Sequence, residues 1–234
     1  MCRGCAYIGQ LQLPSLFHPV KLREGQDALL VARALAPELG PPAVSRGAGT
    51  LPFVAAPGRV EAAVVLEPEM PLAAARLAFH VGANALADAL TVLGPPDMPV
   101  HFRWPGTVLV NQGRVGAFRL LAPDGAADDA VPEWLLIGFE CRLAWRDGHE
   151  SGVAPGETAL AEEGFADVTA EAIVEAWARH LLAGMDEWQN RGPRRASEKF
   201  LARLLDHAGV QRGLDPATGA LVLERDGARQ VVAL

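Results

Sequence analysis

Residues 101–118, HFRWPGTVLVNQGRVGAF, decide the fold. Pro105-Gly106 and Gln112-Gly113 are turn-forming pairs, and the runs between them are rich in apolar and β-branched residues. Residues 134–145, WLLIGFECRLAW, are apolar on both faces of a strand, which is typical of a central position in a sheet. The patterns predict one sheet with strands at residues 100–104, 108–111, 114–121 and 134–145.

Helical periodicity flanks these strands on both sides. In the clearest case, residues 72–93, apolar side chains lie almost all round the predicted helix, which ends at Gly94-Pro95-Pro96. Residues 60–66 predict a buried strand, whereas the Gly- and Pro-rich residues 40–60 predict a long loop with room for a short strand. Helices are predicted over residues 26–39, 72–93, 170–188 and 194–207.

The order of these elements mixes hairpin strands with helices. It predicts an α+β fold, a mixed or antiparallel sheet packed by helices. Gly192-Pro193 ends the long helix before it, and residues 213–234 alternate in polarity around their own turns. We therefore predict an α+β domain at residues 1–190 and a small β-rich C-terminal domain at residues 191–234.

The composition excludes several classes of function. The chain has 234 residues, of which 50% are hydrophobic and 21% charged, as in globular domains. A net charge of −7 gives no basic surface for nucleic acid. No apolar run reaches the roughly 18 residues of a membrane span, and the N-terminal residues do not predict a signal peptide. Three cysteines, a low and odd number, indicate a reducing, cytoplasmic location.

The sequence predicts no metal site. Cys2 and Cys5 form a single CxxC, whereas a structural zinc site needs four ligands. The six histidines are scattered without ligand spacing, and no GxSxG, HExxH or P-loop pattern is present. The cysteine pair is interpreted as part of an unremarkable N-terminus.

The RWPG and GRVGA segments, residues 103–106 and 113–117, resemble the KWPND…KxAG region of biotin protein ligases and their lipoate-ligase relatives. Residues 59–72 are similar to the family strand that leads into its central helix. Residues 134–143 lie where the family carries a GxGxN strand. The resemblance extends in order over residues 22–234, and it implies a biotin/lipoate ligase-like fold with a small C-terminal domain.

The resemblance also implies chemistry. The family uses ATP and magnesium to activate biotin or lipoate as an acyl-adenylate, and then transfers the acyl group to a lysine of a carrier protein. The implied catalytic residues here are Arg114, which stands where the family has the lysine of KxAG, and Arg103, at the lysine of KWPND. The implied ligand-binding residues are Arg46, Gly47, Gly49, Trp104, Pro105, Gly116 and Ala117.

Several positions depart from the family pattern. The family's glycine- and arginine-rich loop is reduced here to VSRGAGTLPF, residues 44–53. The Asn-Asp of KWPND is replaced by Gly106-Thr107, and the asparagine of GxGxN by Arg142. An arginine fork is not equivalent to the point charge of a lysine. Because one misplaced transition-state donor costs about 2.7–4 kcal/mol, these changes predict impaired activation of biotin or lipoate.

Three functions remain open from the sequence: a ligase with altered activity, a non-catalytic module that binds a small carboxylate, a nucleotide or a biotinyl/lipoyl carrier domain, and a structural scaffold. Arg103 and Arg114 favour the binding module if they converge on one anion. Each has a simpler interpretation as the partner of a surface acid such as Asp124 or Glu133. Trp104 has a simpler interpretation as a packed corner, and Gly116 as a point of close backbone approach.

Overall fold

The computed structural model describes residues 11–37, 47–145, 154, 156–206, 210–225 and 227–234. Within these ranges the strands are β1 His18–Lys21, β2 Thr50–Ala56, β3 Arg59–Leu66, β4 Val100–Arg103, β5 Thr107–Val110, β6 Gly113–Leu121, β7 Leu135–Arg142, β8 Gln211–Leu214, β9 Leu221–Arg225 and β10 Ala228–Val232. The helices are α1 Ala28–Leu35, α2 Leu72–Ala75, α3 Ala78–Leu93, α4 Ala170–Arg191 and α5 Arg194–Arg203, with a 3₁₀ turn at Leu160–Glu163.

The larger sheet has seven strands in the order β1-β2-β3-β7-β6-β5-β4. Only the pair β1–β2, at one edge, is parallel, and the other neighbours are antiparallel. The four strands predicted between residues 100 and 145 therefore lie in one sheet, as the hairpin pattern predicted. The α+β fold class is confirmed.

The two faces of this sheet are covered differently. Helices α3 and α4 pack on one face, where Trp177 is fully buried and its indole N–H donates to the Gly82 carbonyl at 3.1 Å. The short helix α1 packs on the other face against β2, β3 and β7. Among the described residues, no helix covers the ends of β6 and β7 on that face.

The C-terminal segment packs onto the same core. Phe200 of α5 is fully buried, and its ring stacks on Phe102 of β4 with centroids 5.0 Å apart. Strands β8, β9 and β10 form a separate antiparallel sheet, whose buried Leu221 joins the central apolar cluster. The boundary predicted at residues 190 and 191 coincides with the end of α4 at Arg191, and an independent domain beyond it stays a prediction.

Strand β2 is longer than the sequence interpretation allowed. Residues 50–56, predicted to lie in a long loop with room for a short strand, form the seven-residue strand β2, which is almost wholly buried. Glycine and proline around the strand indicate turns, but β1 and β3 pair with it from both sides and satisfy its backbone.

The helix predicted over residues 72–93 is divided in two. Tight i→i−3 hydrogen bonds, from the Leu77 N–H to Ala74 and from the Phe79 N–H to Arg76, separate α2 from α3. No glycine or proline marks this break, so the periodicity could not predict it. None of the helices in the described ranges is long and apolar enough to cross a membrane.

Candidate functional site

A large open pocket of about 1350 Å³ lies beside the ends of β3, β6 and β7. The segment before α1 and residues near Glu157 complete its wall. Three arginines and three glutamates line it, so the formal charges of the lining balance. The lining residues are Glu24, Gly25, Pro57, Gly58, Arg59, Arg114, Val115, Gly116, Glu140, Cys141, Arg142, Ala144, Trp145 and Glu157.

The charged residues on the strands share one face of the sheet. Arg59 lies opposite Arg142, and Glu140 lies opposite both Glu61 and Ala117 in the strand register. Directly opposed residues point to the same side, and successive residues alternate. These side chains therefore lie on the face opposite α3 and α4.

Arg114 is held at the edge of the pocket by its backbone. Its N–H donates to the Gly156 carbonyl at 2.7 Å, and its own carbonyl accepts from the Thr158 N–H at 3.0 Å. Its side chain is 53% exposed, with the nearest carboxylate, Glu157, 3.9 Å away. That distance is too long for a hydrogen bond, so the guanidinium retains its donors.

Arg142, in contrast, is fully engaged by the protein. It donates to the Glu157 carboxylate and to the Thr158 carbonyl, each at 3.0 Å. Its guanidinium carbon also lies 4.0 Å from the ring centroid of Trp145, in cation–π contact. Arg142 therefore fastens residues 157–158 beside the pocket.

A second charged group closes the pocket on the side of α1. Arg119 of β6 reaches Asp27, which caps the N-terminus of α1, at 3.4 Å and Glu140 at 3.6 Å. Burial would raise the pKa of Asp27, but hydrogen bonds from the Leu30 and Leu29 N–H groups, together with Arg119, hold it below its ordinary value. Asp27 thus stays ionised and ties the helix to the sheet.

Glu61 is the most deeply buried carboxylate in this group, at 1% exposure. It pairs with Arg59 and accepts a hydrogen bond from the Ala28 N–H at 3.1 Å. Burial nevertheless raises the pKa of Glu61 above its ordinary value. Because its carboxylate is buried and accepts from the first N–H of α1, Glu61 holds that helix in place and does not contact a ligand.

Arg103 and Arg114 do not meet in the pocket. Arg103 lies opposite Thr107, which lies opposite Ala117, so it faces the same side of the sheet as Glu140. Two strand spacings and two residues of offset separate its Cα from that of Arg114 by about 12 Å. Arg103 is exposed, does not line the pocket, and has no ion pair within the described ranges.

Trp104 lies in a packed corner outside the pocket. Its ring contacts those of His80 and Phe200, and its indole N–H donates to the Ala233 carbonyl at 3.1 Å. The adjoining Pro105 is exposed and does not line the pocket. Asp124, considered as a partner for the two arginines, pairs instead with Arg33 at 2.5 Å.

Gly116 lies in the pocket lining, and Ala117 lies beside it, opposite Glu140. A Cβ added at Gly116 would lie 1.9 Å from the Glu140 carbonyl oxygen, which no side chain tolerates. Glycine is therefore required here for close approach of β6 to β7, next to the register shift at Val108/Leu109.

Gly47 and Gly49 lie far from the pocket. Both have positive φ angles, +67° and +81°, and the Gly49 N–H donates to the Val65 carbonyl at the other end of β3. The length of β3 places this turn about 20 Å from the pocket lining at Gly58. Arg46, Cys2 and Cys5 lie outside the described residues.

The resemblance implies that magnesium is used together with ATP. No three His, Cys, Asp or Glu side chains group as metal ligands in the described part of the chain. Glu140 and Glu157 are also ion-paired with arginines. Both carboxylates are therefore engaged by the protein, and no magnesium ligand is assigned to them.

Sequence reasoning missed the charged residues of the open face. Arg59, Glu61, Arg119 and Glu140 were not singled out, although each interrupts an otherwise apolar strand. Arg59 and Glu61 are two residues apart, as are Glu140 and Arg142, so each pair lies on one face of its strand. Arg119 joins them only through its register opposite Gly138. The interpretation of residues 134–145 as apolar on both faces overlooked this signal.

Comparison with known proteins agrees with this architecture. Residues 13–202 match the model of the Biotin/lipoate A/B protein ligase family. The chain is 32% identical to the biotin–[acetyl-CoA-carboxylase] ligase of Paracoccus denitrificans over 201 residues, 80% of this chain and 82% of that protein.

Two solved structures show the same fold. A biotin protein ligase-like protein of unknown function from Silicibacter sp. TM1040 is 28% identical, with a TM-score of 0.81 over 95% of this chain and 96% of its own. A biotin protein ligase from Aquifex aeolicus, solved with biotin and ATP, is 12% identical, with a TM-score of 0.67 over 92% of this chain and 95% of its own. With its family match over residues 13–202, this chain belongs to the biotin/lipoate A/B protein ligase family.

Proposed function

We propose that the chain binds a small carboxylate or a nucleotide in the pocket through Arg114, and that it activates biotin or lipoate with ATP slowly or not at all. The proposal places the chain among ligand-binding members of its family with reduced catalysis. Arg103 is proposed as a second, more distant anion contact on the same face.

The observation that carries the proposal is that two arginines lie beside one glutamate, which forms hydrogen bonds with only one of them. Glu157 lies 3.0 Å from Arg142, within hydrogen-bond distance, whereas its distance from Arg114 is 3.9 Å, which is too long for a hydrogen bond. The carboxylate is therefore satisfied without Arg114, whose guanidinium remains half exposed at the pocket. A ligand carboxylate or phosphate can accept two parallel hydrogen bonds from this planar fork.

The expectation of slow activation has a separate basis. Acid activation requires donors held where negative charge develops on the α-phosphate. Arg142, which stands at the family's asparagine, is occupied by Glu157, Thr158 and Trp145. The turn with Gly47 and Gly49 lies at the far end of β3, so these glycines supply no donor to the pocket.

Binding is tested by thermal shift with biotin, ATP, AMP and a non-hydrolysable acyl-adenylate analogue. A ligand that binds only the folded chain raises its melting temperature by mass action. We expect at least one of these anions to stabilise the wild type and Arg114→Ala to abolish that stabilisation. Arg179→Ala is the matched control, because Arg179 is 55% exposed and 3.8 Å from its partner Glu175 on α4. Equal responses of wild type and Arg114→Ala would refute the proposed site.

Catalysis is tested by pyrophosphate exchange with biotin or lipoate as the acid. We expect exchange at or near background in the wild type, since Arg142 is engaged by the protein and the turn with Gly47 and Gly49 lies away from the pocket. Robust exchange with either acid would overturn this part of the proposal. It would not by itself contradict binding through Arg114.

The second candidate function is ATP-dependent transfer of an acid to a carrier-protein lysine. The 32% identity to the Paracoccus denitrificans ligase favours it. It predicts exchange that saturates with the acid, together with covalent labelling of a biotinyl or lipoyl carrier domain detected by mass spectrometry. Absence of both, with intact ligand binding, favours the first candidate.

A further inference from the structure

One charged side chain, that of Arg119, crosses the sheet face between β6 and α1. Arg119 of β6 lies opposite Gly138 of β7, which lies opposite Ala63 of β3. These two small residues leave the face bare between Arg119 and α1. To reach Asp27 at the N-terminus of α1, the Arg119 side chain must extend across this bare stretch.

Glu140 joins the same group from the pocket side. It lines the pocket and lies 3.6 Å from the Arg119 guanidinium, so the ion pair marks the boundary between the open pocket and the stretch above Gly138. Both side chains are about two-fifths exposed, at 42% and 40%. Both side chains therefore remain hydrated, and a ligand body laid over them must displace that water.

These charged groups affect the part of a bound acid that lies beyond its carboxylate. A ligand whose carboxylate lies at Arg114 extends over the face that carries Arg59, Glu140 and Arg142. An apolar chain laid there strips water from charged groups and returns no hydrogen bond. A ligand with hydroxyl, amide or phosphate groups replaces that water.

From this geometry, and resting on the proposed anion binding at Arg114, we infer that the pocket is selective for hydrophilic anions. Arg119 and Glu140 are the specificity-determining residues that exclude acids with an apolar body. Octanoate represents the excluded class, and AMP represents the accepted class.

The test is calorimetric titration of the full chain with octanoate and with AMP. We expect no measurable octanoate binding by the wild type. The variant Arg119→Ala/Glu140→Ala removes one charge of each sign and leaves the net charge unchanged. It should gain about tenfold or more in octanoate affinity, since removing the need to desolvate these groups is worth at least that factor.

The matched control is Arg195→Ala/Glu187→Ala, which removes an exposed ion pair of 2.7 Å joining α5 to α4. It should not gain octanoate binding. Arg119→Met/Glu140→Gln keeps the side-chain volumes and serves if the alanine variant does not fold, with a smaller gain expected. Tight octanoate binding by the wild type, or no gain in the folded variant, would overturn the inference.

The two levels of the proposal fail separately. Loss of AMP binding in Arg114→Ala tests the anion site alone, whatever the octanoate result. A gain in octanoate binding by the double variant tests selectivity alone, even if AMP binds elsewhere. Octanoate affinity that is equal in the wild type and the folded double variant overturns the inference about Arg119 and Glu140 and leaves the anion site at Arg114 untouched.

Discussion

The Nε2 atom of His80, on α3, lies 2.8 Å from the carbonyl oxygen of Gly219 in the turn between β8 and β9. A carbonyl can only accept, so Nε2 carries the proton of a neutral ring. His80 is fully buried, and burial lowers its pKa to about 4, although the hydrogen bond to Gly219 opposes that shift. This contact ties the small C-terminal sheet to the main core.

The neutral His80 makes stability depend on pH. Its pKa is 6.5 in the unfolded chain and about 4 in the folded one. The unfolded state therefore binds the proton first as the pH falls. The stability of the folded chain is unaffected by this group above pH 6.5 and decreases as the pH falls from 6.5 towards 4. We expect a loss of about 1.4 kcal/mol per pH unit in that window.

Urea unfolding at pH 7, 5.5 and 4.5 measures this effect. His80→Gln should flatten the dependence between pH 6.5 and 4, whereas His18→Gln, at an exposed histidine of β1, should leave it unchanged. The same slope in His80→Gln and wild type would contradict the assignment.

Arg142 and Arg114 should differ in their contribution to stability. Arg142→Ala removes two hydrogen bonds and a cation–π contact, and we expect a loss of about 1 kcal/mol, or about 2–4 °C in Tm. Arg114→Ala removes only an exposed contact of 3.9 Å and should cost less than about 0.5 kcal/mol. Calorimetric melting of both variants checks this order, and a larger loss in Arg114→Ala would reverse it.

Two strand glycines should respond oppositely to alanine. Gly116→Ala forces a Cβ against the backbone of β7, and we expect a loss of about 1–3 kcal/mol in the free energy of unfolding. Gly213→Ala, in β8, meets nothing within 4 Å and should be neutral or stabilising by about 0.5–1 kcal/mol. Chemical denaturation measures both, and equal effects would contradict the close-approach argument.

The boundary predicted between residues 190 and 191 is open to limited proteolysis. Gly192 adopts a positive φ of 77°, and nothing lies within 4 Å of a Cβ built there. We expect the first cuts under mildly destabilising conditions at residues 189–195, where an exposed linker is most easily cleaved. Fragments produced only at other positions would count against a separate C-terminal domain.

The predictable part of this fold follows from local patterns. The turn pairs after Trp104 and Asn111 mark the hairpins of residues 100–121, and continuous apolar periodicity marks the long central helix. The length of strand β2 escaped prediction because pairing with β1 and β3, which is non-local, stabilises the strand against its glycine and proline neighbours.

The candidate site was predictable only in part. Arg114 and Gly116, two of the residues that the family resemblance implies, line the pocket, and their roles there stay predictions. Arg103 lies on the same face of the sheet as Arg114, but its offset from Arg114 depends on strand order and on the register shift next to Val108, which no local pattern reports. Trp104 contacts His80, Phe200 and Ala233, which are distant in sequence.

By itself, the sequence determined the fold class, the family and the presence of an arginine at the start of β6, because hydrophobic periodicity, turn residues and motif order are local properties of the chain. Only the tertiary structure decided which arginine is available to a ligand. Arg142 and Arg114 are both charged strand residues, but Glu157 and Trp145 engage the first and leave the second half exposed. Availability depends on partners brought together by folding, and sequence spacing does not encode that competition.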